Sequence, residues 1–394
     1  MKKLLFNRDN FLATVAVFLV IYLLELIAIN WDIFNPFVQS FMDFELTDLY
    51  FSKLNTQTSL DTNIILVNAE NLSREEIARQ LTILNKYHPK VIGVDLLFKD
   101  KKDEYGDSIL SLALHENKNT VLPFSINTNG KDRKPSLIRI NPFFGAFYSG
   151  YIDLCGDSAS TVREFYPFRK FNNDRYISFD AKIIELYDLN AFHYLKKRNR
   201  SKERINYTGN IKNFLYIDPM DVINHPEQLS IIKDKIVLLG FFNFPNSSKG
   251  CNFEDMHFTP LNPRISGHAF PDMNGITIHA NIISMIINKN YINVMSRWLS
   301  FLIAFLLCYF NIAFLIHTFV HGPKWLHFFS KVIQLIATVI ILLMVFYVFR
   351  LFHYRIESTL TITAIILSVD VLYFYNGFAV WLNQRYHFKT YMIH

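Results

Sequence analysis

DKIVLLG, Asp234 to Gly240, and NGITIHANIISMIINKNYI, Asn274 to Ile292, together decide how this chain is read. Ile236 to Leu239 is an apolar run closed by Gly240, the pattern of a buried strand ending in a tight turn. Gly275 opens a helix with Ile276, Ala280, Ile283 and Ile287 at the spacing of one buried face. A long hydrophobic segment begins at Trp298, so the last helix of a folded domain is expected to run into a membrane.

Upstream of that stretch the chain alternates strand and helix signals. Ile64 to Val67 reads as a buried strand. Ser73 and Glu76 have capping-box spacing, and Ile77, Leu81 and Leu84 form the stripe of the helix they start. Val91 to Val94 is a second strand, which makes a βαβ unit. Asp107 is expected to cap a further helix through Leu114, followed by a strand at Thr120 to Pro123. Ser178 to Tyr187 and Leu215 to Ile217 supply another helix and strand, and Phe37 to Leu54 has apolar residues at helical spacing. The alternation implies an α/β domain with a mostly parallel sheet and flanking helices.

Ligands in such sheets sit beyond the carboxyl ends of the strands. Here those ends present Asn68, Glu70, Asp95, Lys99 and the turn after Gly240, and the candidate ligand-cleft residues are Asn68, Glu70, Asp95, Asp255 and His257. Asp95 reads equally as a cap of the following turn.

Taken in order, NIILVNAENL (Asn63 to Leu72), HPKVIGVDLLF (His88 to Phe98), GYIDL, VREFYPF, DKIVLLG, EDMHFTP (Glu254 to Pro260) and the helix from Asn274 resemble the CHASE2 domain family over roughly residues 35 to 292. The resemblance implies an extracytoplasmic sensory module of bacterial receptors, followed by three membrane spans and normally by a cytoplasmic output domain. The family pattern carries acidic residues where this chain has Asn68, which puts a shared ligand in doubt. Only about a dozen residues follow Trp381, so no attached output enzyme is expected.

The 394 residues are 51% hydrophobic, room for one sizeable domain plus membrane helices. Spans are expected at Phe11 to Ile29, Leu299 to Val320, Val332 to Phe349 and Thr359 to Trp381, the first an uncleaved anchor. This gives a cytoplasmic N-terminus and first span at 1–30, a periplasmic domain at 31–297 inserted between spans one and two, three further spans at 298–382, and a cytoplasmic tail at 383–394. Lys2, Lys3, Arg8, Lys324, Lys331, Arg385 and Lys389 then lie inside, against Arg350 and Arg355 outside, which places both termini in the cytoplasm of an inner membrane. Trp31, Trp298, Trp325 and Trp381 fall at or near span ends.

Of the polar residues inside the spans, Glu25, Asn311 and Asp370 are the candidates for intramembrane contacts, and Asn311 is expected to pair with Asp370 across helices. KKRNRSKER, Lys196 to Arg204, reads as a solvated basic loop or as a contact for anionic lipid or an acidic partner. Cys155 and Cys251 can pair in an oxidising compartment, while three cysteines make no disulfide framework. His257, His268 and His279 with Glu254 and Asp255 match no tight metal-ligand spacing. Ser247 and Ser248 lack a nucleophile-elbow context, and no nucleotide-binding glycine signature occurs. Neither a metal, a cofactor nor catalysis is expected, nor is nucleic acid in that compartment. The expected partners are the bilayer, a second membrane or periplasmic protein that supplies the output or forms a complex, and a second copy of the chain.

Overall fold

The computed structural model describes residues 7–26, 45–54, 59–69, 72–127, 136–145, 147–155, 160–243, 255–262, 270–321 and 324–392, with backbone alone for Leu46, Lys53, Leu54 and 324–328. The chain forms two compact units, residues 39–292 and residues 1–38 with 293–394.

The first unit is built on a seven-stranded sheet. Its strands are β1 (Asp61–Asn68), β2 (Val91–Val94), β3 (Thr120–Asn127), β4 (Ser136–Ile138), β5 (Tyr148–Tyr151), β6 (Phe214–Ile217) and β7 (Ile236–Gly240). Across the sheet β6, β1, β7, β2, β3 and β5 are neighbours and parallel, and only β4 runs antiparallel, at the end of β3. The βαβ unit read from the sequence therefore encloses a gap, because β1 and β2 are separated by β7. The register is continuous: Leu66 lies beside Leu238, Leu238 beside Gly93, and Gly93 beside Val121.

Helices cover both faces. Ile65, Val67, Ile92, Val94, Val237 and Leu239 join one core with Ile77, Leu81 and Leu84 of α2 (Arg74–Lys86) and Leu110 and Leu114 of α3 (Glu104–Glu116). Each such aliphatic side chain contributes roughly 1.5–3 kcal/mol on full burial. Successive strand residues point to opposite faces, so Gly93 and Leu238 face the other layer. There a Cβ on Gly93 would stand 2.6 Å from Ile183 and 3.0 Å from Phe179, both on α4 (Phe179–Tyr187). That layer also holds α7 (Gly275–Ile287), which is buried almost all round rather than on the one face expected, a result of its place between sheet and neighbouring elements.

The local chemistry follows the sequence in most places. Ser73 and Glu76 close both bonds of the expected capping box. Asp107 does not cap α3; Asp103 does, accepting from the Gly106 N–H, while Asp107 is drawn into a buried ion pair with Arg74. The basic run is a helix end rather than a solvated loop: α5 (Leu189–Arg198) contains its first three residues. Two of its three arginines are used internally, Arg198 on Glu203 at 2.6 Å and Arg204 on Glu45, while Lys196, Lys197 and Lys202 stay exposed. Of the expected Phe37–Leu54 helix, 37–44 lie outside the described residues, Leu46–Leu49 is helical and Tyr50–Leu54 is a π turn. Arg163 holds that segment through a two-pronged contact to Asp48, at 3.1 and 2.6 Å.

The second unit consists of α1 (Arg8–Leu26), α8 (Arg297–His321), α9 (Lys324–Phe352) and α10 (Thr359–Tyr386), each containing a segment long and apolar enough to cross a membrane. Ala13 and Val17 of α1, Cys308, Ile312 and Leu315 of α8, and Ala364, Val369 and Leu372 of α10 share one core. A short parallel pairing of Asn293–Val294 with Tyr354–Arg355 ties the starts of α8 and α10 together. Lys331, counted among the inside charges, and Arg350, counted outside, both lie within the α9 segment long and apolar enough to cross a membrane. Trp298 and Trp381 are exposed, whereas Trp31 and the side chain of Trp325 lie outside the described residues.

Candidate functional site

The carboxyl ends of β2 and β7 meet the start of α7. Gly240 ends β7, and its missing side chain leaves room: a Cβ there would lie 2.9 Å from Asp95 Cβ and 3.0 Å from Ile276. Asp95 follows β2 directly and its N–H bonds the Leu239 carbonyl at 2.7 Å. The half-buried Asp95 carboxyl therefore packs over the end of β7 against the first turn of α7.

The start of α7 is anchored by Asp255. The Gly275 N–H donates to the Asp255 carbonyl at 3.2 Å and to its Oδ2 at 3.3 Å, which satisfies an orphan donor of the helix end. His257 Nε2 lies 3.8 Å from Asp255 Oδ1, and His257 pairs with Met273 in a two-stranded ribbon. Beside it the Thr259 N–H and hydroxyl both donate to Asp272, at 2.8 and 2.5 Å, which explains the threonine of the Thr-Pro turn structurally.

One turn into α7, His279 Nδ1 donates to Asp180 Oδ1 at 2.9 Å, with both side chains buried. Asp180 comes from the first turn of α4, started by the Ser178 cap, and Phe179 sets its ring edge against the imidazole at 5.6 Å. Burial alone would lower the His279 pKa, but Asp180, with help from Asp95 and Asp255, outweighs it and pushes the value up to about 9. Burial likewise pushes Asp95 up to about 7, with Asp255 and Asp180 adding to the rise and His279 opposing it. The arrangement is one imidazolium among three carboxylates, a field that favours either a proton on Asp95 or a cation near it.

Asp95, Asp255 and His257 are thus brought to one end of the sheet. Asn68 is not open to a cleft: fully buried, it donates from Nδ2 to the Phe242 carbonyl at 2.9 Å and accepts the Phe242 N–H at 3.3 Å. It fastens the loop after β7, which is why an amide serves here. Glu70, Glu254, His268, Ser247, Ser248 and Cys251, and with Cys251 the question of its pairing with Cys155, lie outside the described residues. Among the described residues no group of His, Cys, Asp or Glu is placed to hold a metal ion. Sequence reasoning missed Asp180: an acid in the first turn of a helix reads as a dipole partner, and nothing in its spacing ties it to His279, 99 residues away.

The expected Asn311–Asp370 pair is not made. Asn311 Nδ2 donates to Ser368 Oγ at 2.7 Å, and Gln334 Nε2 donates to the same oxygen at 2.9 Å, so one serine joins α8, α9 and α10. Asp370 instead takes Lys331 Nζ on both oxygens at 2.6 Å. The reason is facing: Ser368 and Asp370 stand two positions apart on α10, about 200° around its axis, so Ser368 is turned inward toward Asn311 while Asp370 is exposed. Glu25 is exposed near the end of α1. Asp9, unremarked in the sequence, is buried and accepts from the Tyr375 hydroxyl and the Tyr391 N–H, both at 2.6 Å.

A model of the CHASE2 domain family matches residues 14–313, well over half of the chain and wider than the stretch that carried the resemblance. No curated protein and no solved structure matches the chain.

Proposed function

The chain belongs to the CHASE2 domain family, extracellular sensory domains, and on that premise we propose that it is a non-catalytic receptor-like protein of the bacterial inner membrane. In this reading the α/β unit lies in the periplasm, inserted between the first and second spans, with both termini in the cytoplasm. It binds a ligand or protein at the carboxyl ends of its strands, and the four spans pass the state of that site to a partner protein.

The observation that carries the reading is the position of Asp95. It stands at the strand ends on a half-buried residue, its carboxyl enclosed enough for burial to raise its pKa, and its charge is coupled to the buried His279–Asp180 pair that links α4 to α7. A cation or a proton at Asp95 alters the field on that pair, and α7 is the last helix before α8 in the chain. The non-catalytic part rests on the same geometry: His279 and Asp180 have the composition of a base and its orienting acid, but at 3% and 2% exposure they are held as a structural ion pair rather than presented to a substrate.

Hydrogen exchange of the full chain, with and without a low-mass extract of the native envelope with its cations retained, tests the reading. Protection centred on residues 95–97, 240–243 and 275–279, and lost in Asp95→Ala, is the expected result. Protection elsewhere, or none, removes the strand-end site. A structural subunit of a secretion or transport assembly is the second reading. It is favoured by Asn68, whose side chain closes the end of β1 upon the chain's own backbone.

A further inference from the structure

Among the described residues the Lys331–Asp370 pair differs from the other side-chain contacts between the spanning helices. Asn311, Gln334 and Ser368 are turned inward among the helices, whereas the side chains of Lys331 and Asp370 are 52% and 51% exposed. Asp370 is 11 positions from the start of the 28-residue α10, about 16 Å along its axis, so it lies near the helix midpoint. A charged side chain near the middle of a lipid-facing helix is costly and normally faces protein or water. Lys331, seven positions into α9, covers Asp370 on one side, and the other side of the pair is exposed on the surface of the helical unit.

We propose that this face is where a second copy of the chain docks. The two charges lie side by side on adjacent helices, so a twofold axis along the membrane normal sets Lys331 of each copy opposite Asp370 of the other. The patch is complementary to itself, and four charges close into a ring with each lysine between two carboxylates. Gly377 lies on the same face of α10, seven positions on, and a Cβ built there meets open space. A bare glycine on a spanning helix lets a second backbone approach closely. The proposal rests on the helices crossing a membrane but is independent of what the strand-end site binds.

The test is subunit counting by two-colour single-molecule fluorescence on the full chain in phosphatidylcholine vesicles at low protein density. The wild-type chain is expected to form pairs, and Lys331→Asp and Asp370→Lys each to lose self-pairing by at least about tenfold through like-charge contact. Mixing these two variants is expected to restore pairs that carry one of each, because one then offers two acids and the other two amines. A wild-type chain that stays monomeric, or a mixture no better paired than its components, overturns the proposal. Should either reversal fail to fold, the double variant Lys331→Leu/Asp370→Leu decides: loss of pairs with helical content retained supports the interface, and undiminished pairing refutes it.

Discussion

His279 Nδ1 donates a 2.9 Å hydrogen bond to Asp180 Oδ1, and that bond joins α7 to α4 inside the layer covering one face of the sheet. Removing one member of a buried ion pair leaves the other charge uncompensated and costs about 3–5 kcal/mol. Asp180→Asn is expected to lower the free energy of unfolding by that amount, with His279→Gln in the Asp180→Asn background costing little more. Denaturant unfolding of the four chains of this cycle checks it, and additive losses would show that the two residues do not act as a pair.

The pH dependence has a definite sign. Asp95 is raised from 3.8 to about 7, so the native state prefers it protonated; its contribution is fully present below 3.8 and is lost as pH rises through about 7. His279 is raised from 6.5 to about 9, and its stabilisation, fully present below 6.5, is lost as pH rises through about 9. Thermal stability should therefore fall from mildly acidic to alkaline pH, by at most about 1.4 kcal/mol per pH unit for each group. Asp95→Asn should flatten the acidic part of the decline and be the more stable protein above pH 7. A wild-type curve that rises over this range contradicts the assignment.

Two glycines separate a soft clash from a hard one. A Cβ on Gly93 meets the far end of Ile183 at 2.6 Å, which can rotate, whereas one on Gly150 meets the Phe179 backbone at 2.5 Å. Overpacking costs typically 1–3 kcal/mol. Gly150→Ala should fall at or above the top of that range and Gly93→Ala below it, as calorimetry of the two variants can establish.

Much of this was legible in the sequence because the deciding signals were local. The runs at Ile64, Val91 and Ile236 became central strands since an apolar run bounded by turns has few other uses. The Ser73–Glu76 box formed as written because its partners are three residues apart. What was not legible depended on distant partners. Asp107 looked like a cap until Arg74 claimed it, and the basic run looked solvated until Glu203, Glu164 and Glu45 were brought to it. At the site, the position of Asp95 followed from a strand end, but that of Asp180 did not.

Ser368 should matter more than its size suggests. Ser368→Ala removes the shared acceptor of Asn311 and Gln334, at about 0.6 kcal/mol for each interhelical bond. Thr338→Val removes only a bond within α9, to the Gln334 carbonyl, and should be nearly neutral. Unfolding of the two variants in bicelles compares them directly, and equal effects would deny Ser368 its joining role.

Mild-detergent purification of the tagged chain from its native membrane, with mass spectrometry of what co-elutes, tests the receptor reading most directly. The account predicts a stoichiometric partner that carries a kinase, cyclase or other regulatory domain. A stable assembly with secretion or transport components instead, or the chain eluting with nothing but itself, would contradict it.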